Sequence, residues 1–379
     1  MRTFRLALTS LALSVGLALL AAAPLAAQGN NFYDRTSITS GAQFKGYSFG
    51  DGAEFEKISQ IAVPIAMIVP VSQRFSFDIG ASYAVTSTTT TTQGDHSVSG
   101  FTDTQLRGTY VLGRDAAVLS LVVNLPTGTK LDSADAITAG AAASNFLSFP
   151  VNSYNNGLSF TGGAGLARRL GSWGIGLAGS FRWNAEYQPY TGDLSDINYE
   201  PGVEGRIRLG ADRSIGQARL RLGLTYSTFG DDVYSGAGVG AGANYKPGQR
   251  FVGEASYAWP GLGGTVSAYV WDYYRMTGEA AGTGNDNSEN ILTGGFLARL
   301  PMGAKTVFEP GIEGRYWRYN AGEGGGKVMG LAAGIRHRLS DDLSIVPNVR
   351  AEFGSLDLVG GGSSNLTGIG ASVLLRYGL

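Results

Sequence analysis

Apolar and polar residues alternate with a period of two along most of the chain. The last stretch shows it most clearly: Ile369, Ala371, Val373, Leu375, Tyr377 and Leu379 fall on one face, Gly370, Ser372 and Arg376 on the other. A strand with one apolar and one polar face separates an oily environment from a wet one. The pattern predicts sixteen strands, at 36–48, 55–70, 74–87, 99–112, 116–125, 155–169, 173–185, 199–211, 215–228, 250–259, 264–276, 291–301, 305–319, 328–339, 343–355 and 365–378. Fourteen or eighteen strands are the alternatives. The glycine-rich piece from Tyr234 to Tyr245 is read as loop, because counting it alone as a strand breaks an even count.

The connections alternate in length. Short ones are predicted at Ser72-Gln73, Gly113-Arg114, Gly171-Ser172, Asp212-Arg213-Ser214, Pro260 to Gly263, Met302-Gly303 and Asp341-Asp342. Long polar ones are predicted at 49–54, 88–98, 126–154, 186–198, 229–249, 277–290, 320–327 and 356–364. An all-β transmembrane antiparallel up-and-down barrel has this asymmetry, with tight periplasmic turns and longer outer loops. Residues 1–27 read as a secretory signal: Arg2 and Arg5, an apolar run to Ala23, then Pro24-Leu25-Ala26-Ala27. The expectation is a signal peptide over 1–27 and one barrel domain over 28–379, in the outer membrane of a Gram-negative-type envelope.

Parity divides the residues between the two sides of the wall. Ile61, Val63, Ile65, Met67 and Val69, then Phe75, Phe77, Ile79 and Tyr83, then Leu119, Leu121, Val123 and Leu125, then Leu220, Leu222, Leu224 and Tyr226, are expected to face lipid. Trp173, Trp183, Tyr257, Trp259, Trp271, Tyr273, Tyr316 and Trp317 lie near strand ends, as aromatic girdles do. The opposite parity carries the charge: Asp78, Asp103, Arg107, Arg182, Glu204, Arg206, Arg208, Arg219, Arg221, Glu254, Arg299, Glu309, Glu313, Arg315, Arg336, Arg338, Arg350, Glu352 and Arg376. A charge on the lipid face costs several kcal/mol at mid-membrane, so these residues are expected in the lumen. They either brace the wall or meet a solute.

Composition removes several chemistries. No cysteine is present, which excludes disulfides, thiolate catalysis and Cys-ligated metals. The net charge of −1 becomes −3 without Arg2 and Arg5, so nucleic acid is not an expected partner. There are two histidines. His96 lies in a polar stretch beside Asp95 and Ser97, and His337 shares parity with Ile335 and Leu339. Neither points to a catalytic triad, and no catalytic residue is expected. Gly163-Ala164-Gly165 and Gly238-Val239-Gly240 precede no helix, so no nucleotide site is read from them. Asp231, Asp232 and Asp286 lack regular Ca²⁺-ligand spacing and read as solvated acids; no metal or cofactor is expected.

The segment 126–154 is the longest connection, and loops of that length carry function or are disordered. It holds Lys130, Asp132 and Asp135, an apolar run from Ile137 to Ala143, and Phe146 and Phe149. Two outcomes are open: a fold into the lumen that constricts it, or a short helix on the rim.

One thirty-residue stretch has a family likeness. Gly100-Phe101-Thr102-Asp103-Thr104-Gln105-Leu106, then Tyr110, Leu119 to Leu125 and Pro126-Thr127-Gly128, resembles the outer-membrane transporters associated with the meta-pathway of phenol degradation. The terminal Leu379 departs from the Phe or Trp such barrels commonly end in. The resemblance implies a monomeric, porin-like channel that passes small apolar or aromatic molecules. Its partners would be outer-membrane lipids, small solutes and the barrel-assembly machinery. A monomer is expected rather than a trimer. The alternatives are a structural or adhesive barrel with a closed lumen, and a barrel enzyme.

Overall fold

The structure, a computed structural model, describes residues 35–379 except 93, 114–116, 237–242, 281–283, 286, 320–323 and 359–360. The signal read over 1–27, the glycines at 238 and 240, Arg114 and Asp286 lie outside the described residues.

Sixteen antiparallel strands close into a barrel. They are β1 (Ser37–Phe49), β2 (Phe55–Pro70), β3 (Phe75–Thr90), β4 (Gly94–Phe101 continued as Thr104–Leu112), β5 (Ala117–Leu125), β6 (Ser159–Leu170), β7 (Trp173–Asn184) and β8 (Glu204–Ile215). The second half comprises β9 (Ala218–Phe229), β10 (Arg250–Gly261), β11 (Gly264–Arg275), β12 (Glu289–Pro301), β13 (Thr306–Tyr319), β14 (Gly324–Arg338), β15 (Leu343–Asp357) and β16 (Ser363–Gly378). Each strand pairs with its sequence neighbour, and β1 pairs with β16 from Ser37↔Gly378 to Phe49↔Leu366. Closure leaves no unsatisfied edge around the ring, which a sheet crossing hydrocarbon requires.

The exterior is apolar. Ile61, Ile65, Leu119, Leu121, Leu177, Leu224, Phe296, Leu331, Phe353 and Ile369 are all exposed. Large apolar side chains exposed in rows on a closed barrel are those of a membrane-spanning wall, not of a protein solvated on its outer face.

The strands depart from the sequence reading in four places. Asp212-Arg213-Ser214 is not a turn. These residues continue β8 and pair with Arg221, Leu220 and Arg219. The turn falls at Gly216, whose φ of +60° is left-handed and suits glycine. Residues 88–98 are mostly hairpin, since β3 runs to Thr90 and β4 starts at Gly94. Their Thr and Ser residues alternate faces in the β3–β4 ladder, where composition alone suggests loop. The piece around Tyr234 contains two short strands, Asp232–Ser235 and Ala243–Lys246. They belong to a separate small sheet with Asn198–Glu200, Glu279–Ala280 and Gly284–Asn285, so the barrel count stays even. This sheet joins the long connections at one end of the barrel. Within it Tyr199 and Tyr234 stack at 4.5 Å. Burial pushes the Asp232 carboxyl above its ordinary range, against hydrogen bonds from the Gly202 N–H and the Tyr199 hydroxyl that favour the charge.

The fourth departure concerns aromatics. Trp183, Tyr257 and Tyr316 are exposed on the lipid side. Tyr273 is instead buried, and Trp271 and Trp317 pack with it around an interior cluster. Their parity turns them inward, where the segment between β5 and β6 supplies an apolar partner.

Candidate functional site

Residues 126–158 leave β5, enter the barrel and return to β6. The segment contains one helix, α1 (Ser133–Ala142). Asp132 caps it, its side chain accepting from the Asp135 N–H at 2.8 Å. Burial, and secondarily the Asp132 charge, push the Asp135 carboxyl up from its ordinary value. Lys130 is exposed just before the helix. Ala139 packs with Ala62 of β2, Ala84 of β3 and Val98 of β4. Beyond the helix, Phe146, Leu147 and Phe149 pack with Ile58 of β2 and with Tyr47, Tyr273, Ile291, Val328 and Leu366, which line the wall from β11 round to β1. The segment therefore spans the lumen from β2–β4 to the wall made by β11–β16 and β1. It is not a rim helix.

Three sets of polar contacts hold it. The first is at Asp103, where β4 is interrupted. This buried carboxylate accepts from the Gly128 N–H at 2.7 Å, the Asn156 N–H at 2.5 Å and Asn124 Nδ2 at 2.9 Å. It thus ties both ends of the segment to one point on the wall. Gly128 is required there, since a Cβ would lie 2.0 Å from the Tyr154 carbonyl oxygen. Asp103, Gly128 and the Leu-Pro-Thr-Gly run belong to the stretch with the family likeness, which is thus the socket of this segment. The second contact is the Gln60 amide, which donates to the Val151 carbonyl at 2.6 Å and accepts from the Val151 N–H at 2.7 Å. Thr86 supports it at 2.9 Å and also meets the Tyr154 hydroxyl at 2.7 Å.

The third set is ionic. Arg315 of β13 donates to the Phe146 carbonyl and to Ser148 Oγ, and pairs with Glu352 of β15. Lys45 Nζ donates to the Ser148 carbonyl at 3.0 Å. The Tyr47 hydroxyl lies 2.8 Å from the Leu147 carbonyl and also contacts Glu352. Arg350 bridges Glu352 at 2.8 Å and Glu313 at 2.6 Å, and Glu313 accepts from the Tyr269 hydroxyl at 2.6 Å. Phe146 stacks on Trp317 at 5.4 Å, with the Arg315 guanidinium 5.8 Å from its ring. Tyr47, Gly368 and Glu352 are in register on three successive strands, so the Tyr47 ring lies over Gly368. A Cβ at 368 would sit 2.5 Å from that ring. Gly368→Ala is expected to displace Tyr47 and cost about 1–3 kcal/mol. Gly314→Ala, with no atom within 4 Å of its Cβ, is the control. Equal melting temperatures for the two variants would contradict this.

The opposite wall is different. Arg206 pairs with Glu204 at 2.6 Å and Arg208 pairs with Glu254; these side chains are 33%, 11%, 37% and 31% exposed. The Arg315 and Glu352 side chains are 3% and 1% exposed. One side of the lumen is therefore filled by the segment, and the side made by β8–β10 is wet. Arg182 nearby donates to Ser159 Oγ at 3.1 Å. Toward the short-turn end, Arg107 and Asp78 pair at 3.7 Å, Arg219 and Asp212 at 2.9 Å, and Arg299 and Arg336 share Glu309 at 3.3 Å each. Arg221 lies on the same strand face as Arg219, and Arg338 donates to the Ala304 carbonyl at 3.0 Å.

Apart from Asp103 in the socket, the charged residues read from parity thus form three groups: a buried brace, a wet wall and a basic inner end. Lys45, Tyr47, Gln60, Asn124 and Asn156 escape the sequence reading. Gln60 and Asn124 leave a signal there, each a polar residue on the inward parity of a largely apolar strand, and Lys45 is the one charged residue of β1. The histidines do not assemble a triad. Strand β4 puts His96 on the face opposite Asp95 and Ser97, and Asp95 accepts from Thr89 at 2.7 Å. His337 Nδ1 lies 2.8 Å from Thr306 Oγ1.

No protein-family model matches the chain, and no curated protein does. Solved structures resemble it. A loop-deletion form of OmpT, an outer membrane protein of Vibrio cholerae, is 12% identical over 91% of this chain and 99% of that one, with a TM-score of 0.40. An outer membrane channel from Pseudomonas putida F1 is 12% identical over 90% and 96%, at 0.38. A bacterial polysaccharide outer membrane secretin is 9% identical over 92% and 99%, at 0.46. At these identities and scores the likeness says nothing of solutes or chemistry, which rest on the residues of this chain.

Proposed function

We propose that the protein is an outer-membrane channel for passive diffusion of small solutes, constricted by residues 126–158. The observation that carries this is the unequal solvation of the lumen. The segment is fastened to one wall, while Glu204, Arg206, Arg208 and Glu254 on the other remain in contact with water. A sixteen-strand barrel is wide enough for an aqueous passage beside one folded loop. The apolar exterior supports a membrane location. Passage of apolar or aromatic solutes, and a monomeric state, follow from the family likeness around Gly100 to Gly128. The seam of buried ion pairs favours a second reading, in which the segment is a permanent stopper and the barrel is structural.

Liposome swelling and planar-bilayer conductance of the refolded chain separate the two. A channel conducts as folded, and replacing 131–148 by a short Gly-Ser linker is expected to raise its conductance roughly threefold. A stopper gives no flux until those residues are removed.

A further inference from the structure

The inner end of the lumen carries more guanidinium than carboxylate. Arg219 and Arg221 open β9, and Arg299, Arg336 and Arg376 each stand third from the end of β12, β14 and β16. All five therefore lie close to the short turns. Their parity is inward, because Leu222, Phe296, Ile335, Leu375 and Tyr377 on the alternate positions are exposed to lipid. The five are connected: Arg221 feels the charges of Arg219, Asp212 and Arg299, and Arg376 those of Arg336 and Glu309. Between Arg299 and Arg336 stands Glu309, 3.3 Å from each. Among the described residues Asp212 pairs with Arg219, and Glu309 with Arg299 and Arg336.

Arg221 and Arg376 have no carboxylate within ion-pair distance among the described residues, and Arg376 Nε is buried without a hydrogen-bond partner there. Half-buried charge of one sign favours a counter-charge. The brace around Arg315 shows how this barrel satisfies that need elsewhere, with glutamates between arginines. Around Arg221 and Arg376 the described residues offer no equivalent acid in ion-pair contact. A planar guanidinium matches a planar carboxylate, two N–H groups to two oxygens.

We propose that this ring is a binding station for small organic carboxylates, which supply the missing acids on their way through the lumen. The inference rests on the channel reading for its physiological role, though not for the binding itself. A carboxylate held at either Arg221 or Arg376 exchanges readily, because each arginine also stands near cationic neighbours.

The test is equilibrium binding of sodium benzoate to the detergent-folded full chain at fixed ionic strength, beside bilayer conductance of the same preparation. Saturable benzoate binding is expected, with neutral benzyl alcohol failing to compete and inorganic phosphate competing more weakly. The double variant Arg221→Gln, Arg376→Gln is expected to bind benzoate about tenfold more weakly. Arg213→Gln removes one charge on the outer face beside Trp173 and is expected to bind as the parent does. Conductance of the parent should show benzoate block that the double variant loses. Absent or unsaturable binding, equal binding by the double variant, or equal loss in Arg213→Gln overturns the carboxylate station. Binding as described in a barrel that never conducts supports the station while defeating the channel.

Discussion

Arg315→Ala is expected to destabilise the folded barrel by about 3–5 kcal/mol and to raise its conductance at once. The reason is the isolation of the group. Its side chain is 3% exposed, Glu352 beside it is 1% exposed, and the Phe146 carbonyl and Ser148 depend on it. Removing the guanidinium leaves Glu352 with only Arg350, Lys45 and Tyr47, and leaves a buried carbonyl without its donor. Stranding one partner of a buried pair is more damaging than removing both. The double variant Arg315→Leu, Glu352→Leu is therefore expected to be more stable than Arg315→Ala alone while still loosening residues 146–149. Unfolding in urea and single-channel recording read the two effects separately. An Arg315→Ala protein as stable as the parent, with unchanged conductance, would show that the segment is held by its apolar packing.

Asp103→Ala is expected to cost about 3–5 kcal/mol, and to release the segment where it enters and leaves the lumen. Its carboxylate satisfies two backbone N–H groups, those of Gly128 and Asn156, besides Asn124. Each buried donor left without an acceptor costs about 1–3 kcal/mol. Asp103→Asn keeps one acceptor oxygen and should fall between. The readout is limited trypsin digestion, mapped by mass: cleavage after Lys130 should quicken in Asp103→Ala, because the exposed Lys130 lies two residues beyond Gly128. Unchanged cleavage there would argue that Gln60 and the helix contacts suffice to fix that end.

Much of the barrel was legible because period-two alternation is enforced by its solvents. A residue on the wrong face of β16 would put Arg376 in lipid, so sequence and geometry agree there without help from tertiary contacts. Parity likewise turns Arg315, Glu352 and Arg206 inward. It could not tell which were buried, because burial inside the lumen depends on the path of residues 126–158. The inward aromatics show the limit clearly. Trp271, Tyr273 and Trp317 near strand ends resemble a girdle, yet their parity was already that of the lumen. Apolar side chains on the wet parity required something apolar inside, and the segment provides it. The turn at Gly216 is masked in the sequence by the turn composition of Asp212, Arg213 and Ser214, whereas in the fold Asp212 is engaged by Arg219 across the ladder. The Asp103 socket joins Asn124 and Gly128, which lie within the recognisable stretch, to Asn156, which lies outside it and is brought in only by the return of the segment.

The register of Tyr47, Gly368 and Glu352 sets an order of assembly. Tyr47 belongs to the first strand, Gly368 to the last and Glu352 to the one before it. The dock for Leu147 and Ser148 therefore does not exist until the two ends of the chain have been sewn together. An unzipped barrel would leave the inner segment without its ionic mooring, so seating of that segment is a late event that reports a finished ring.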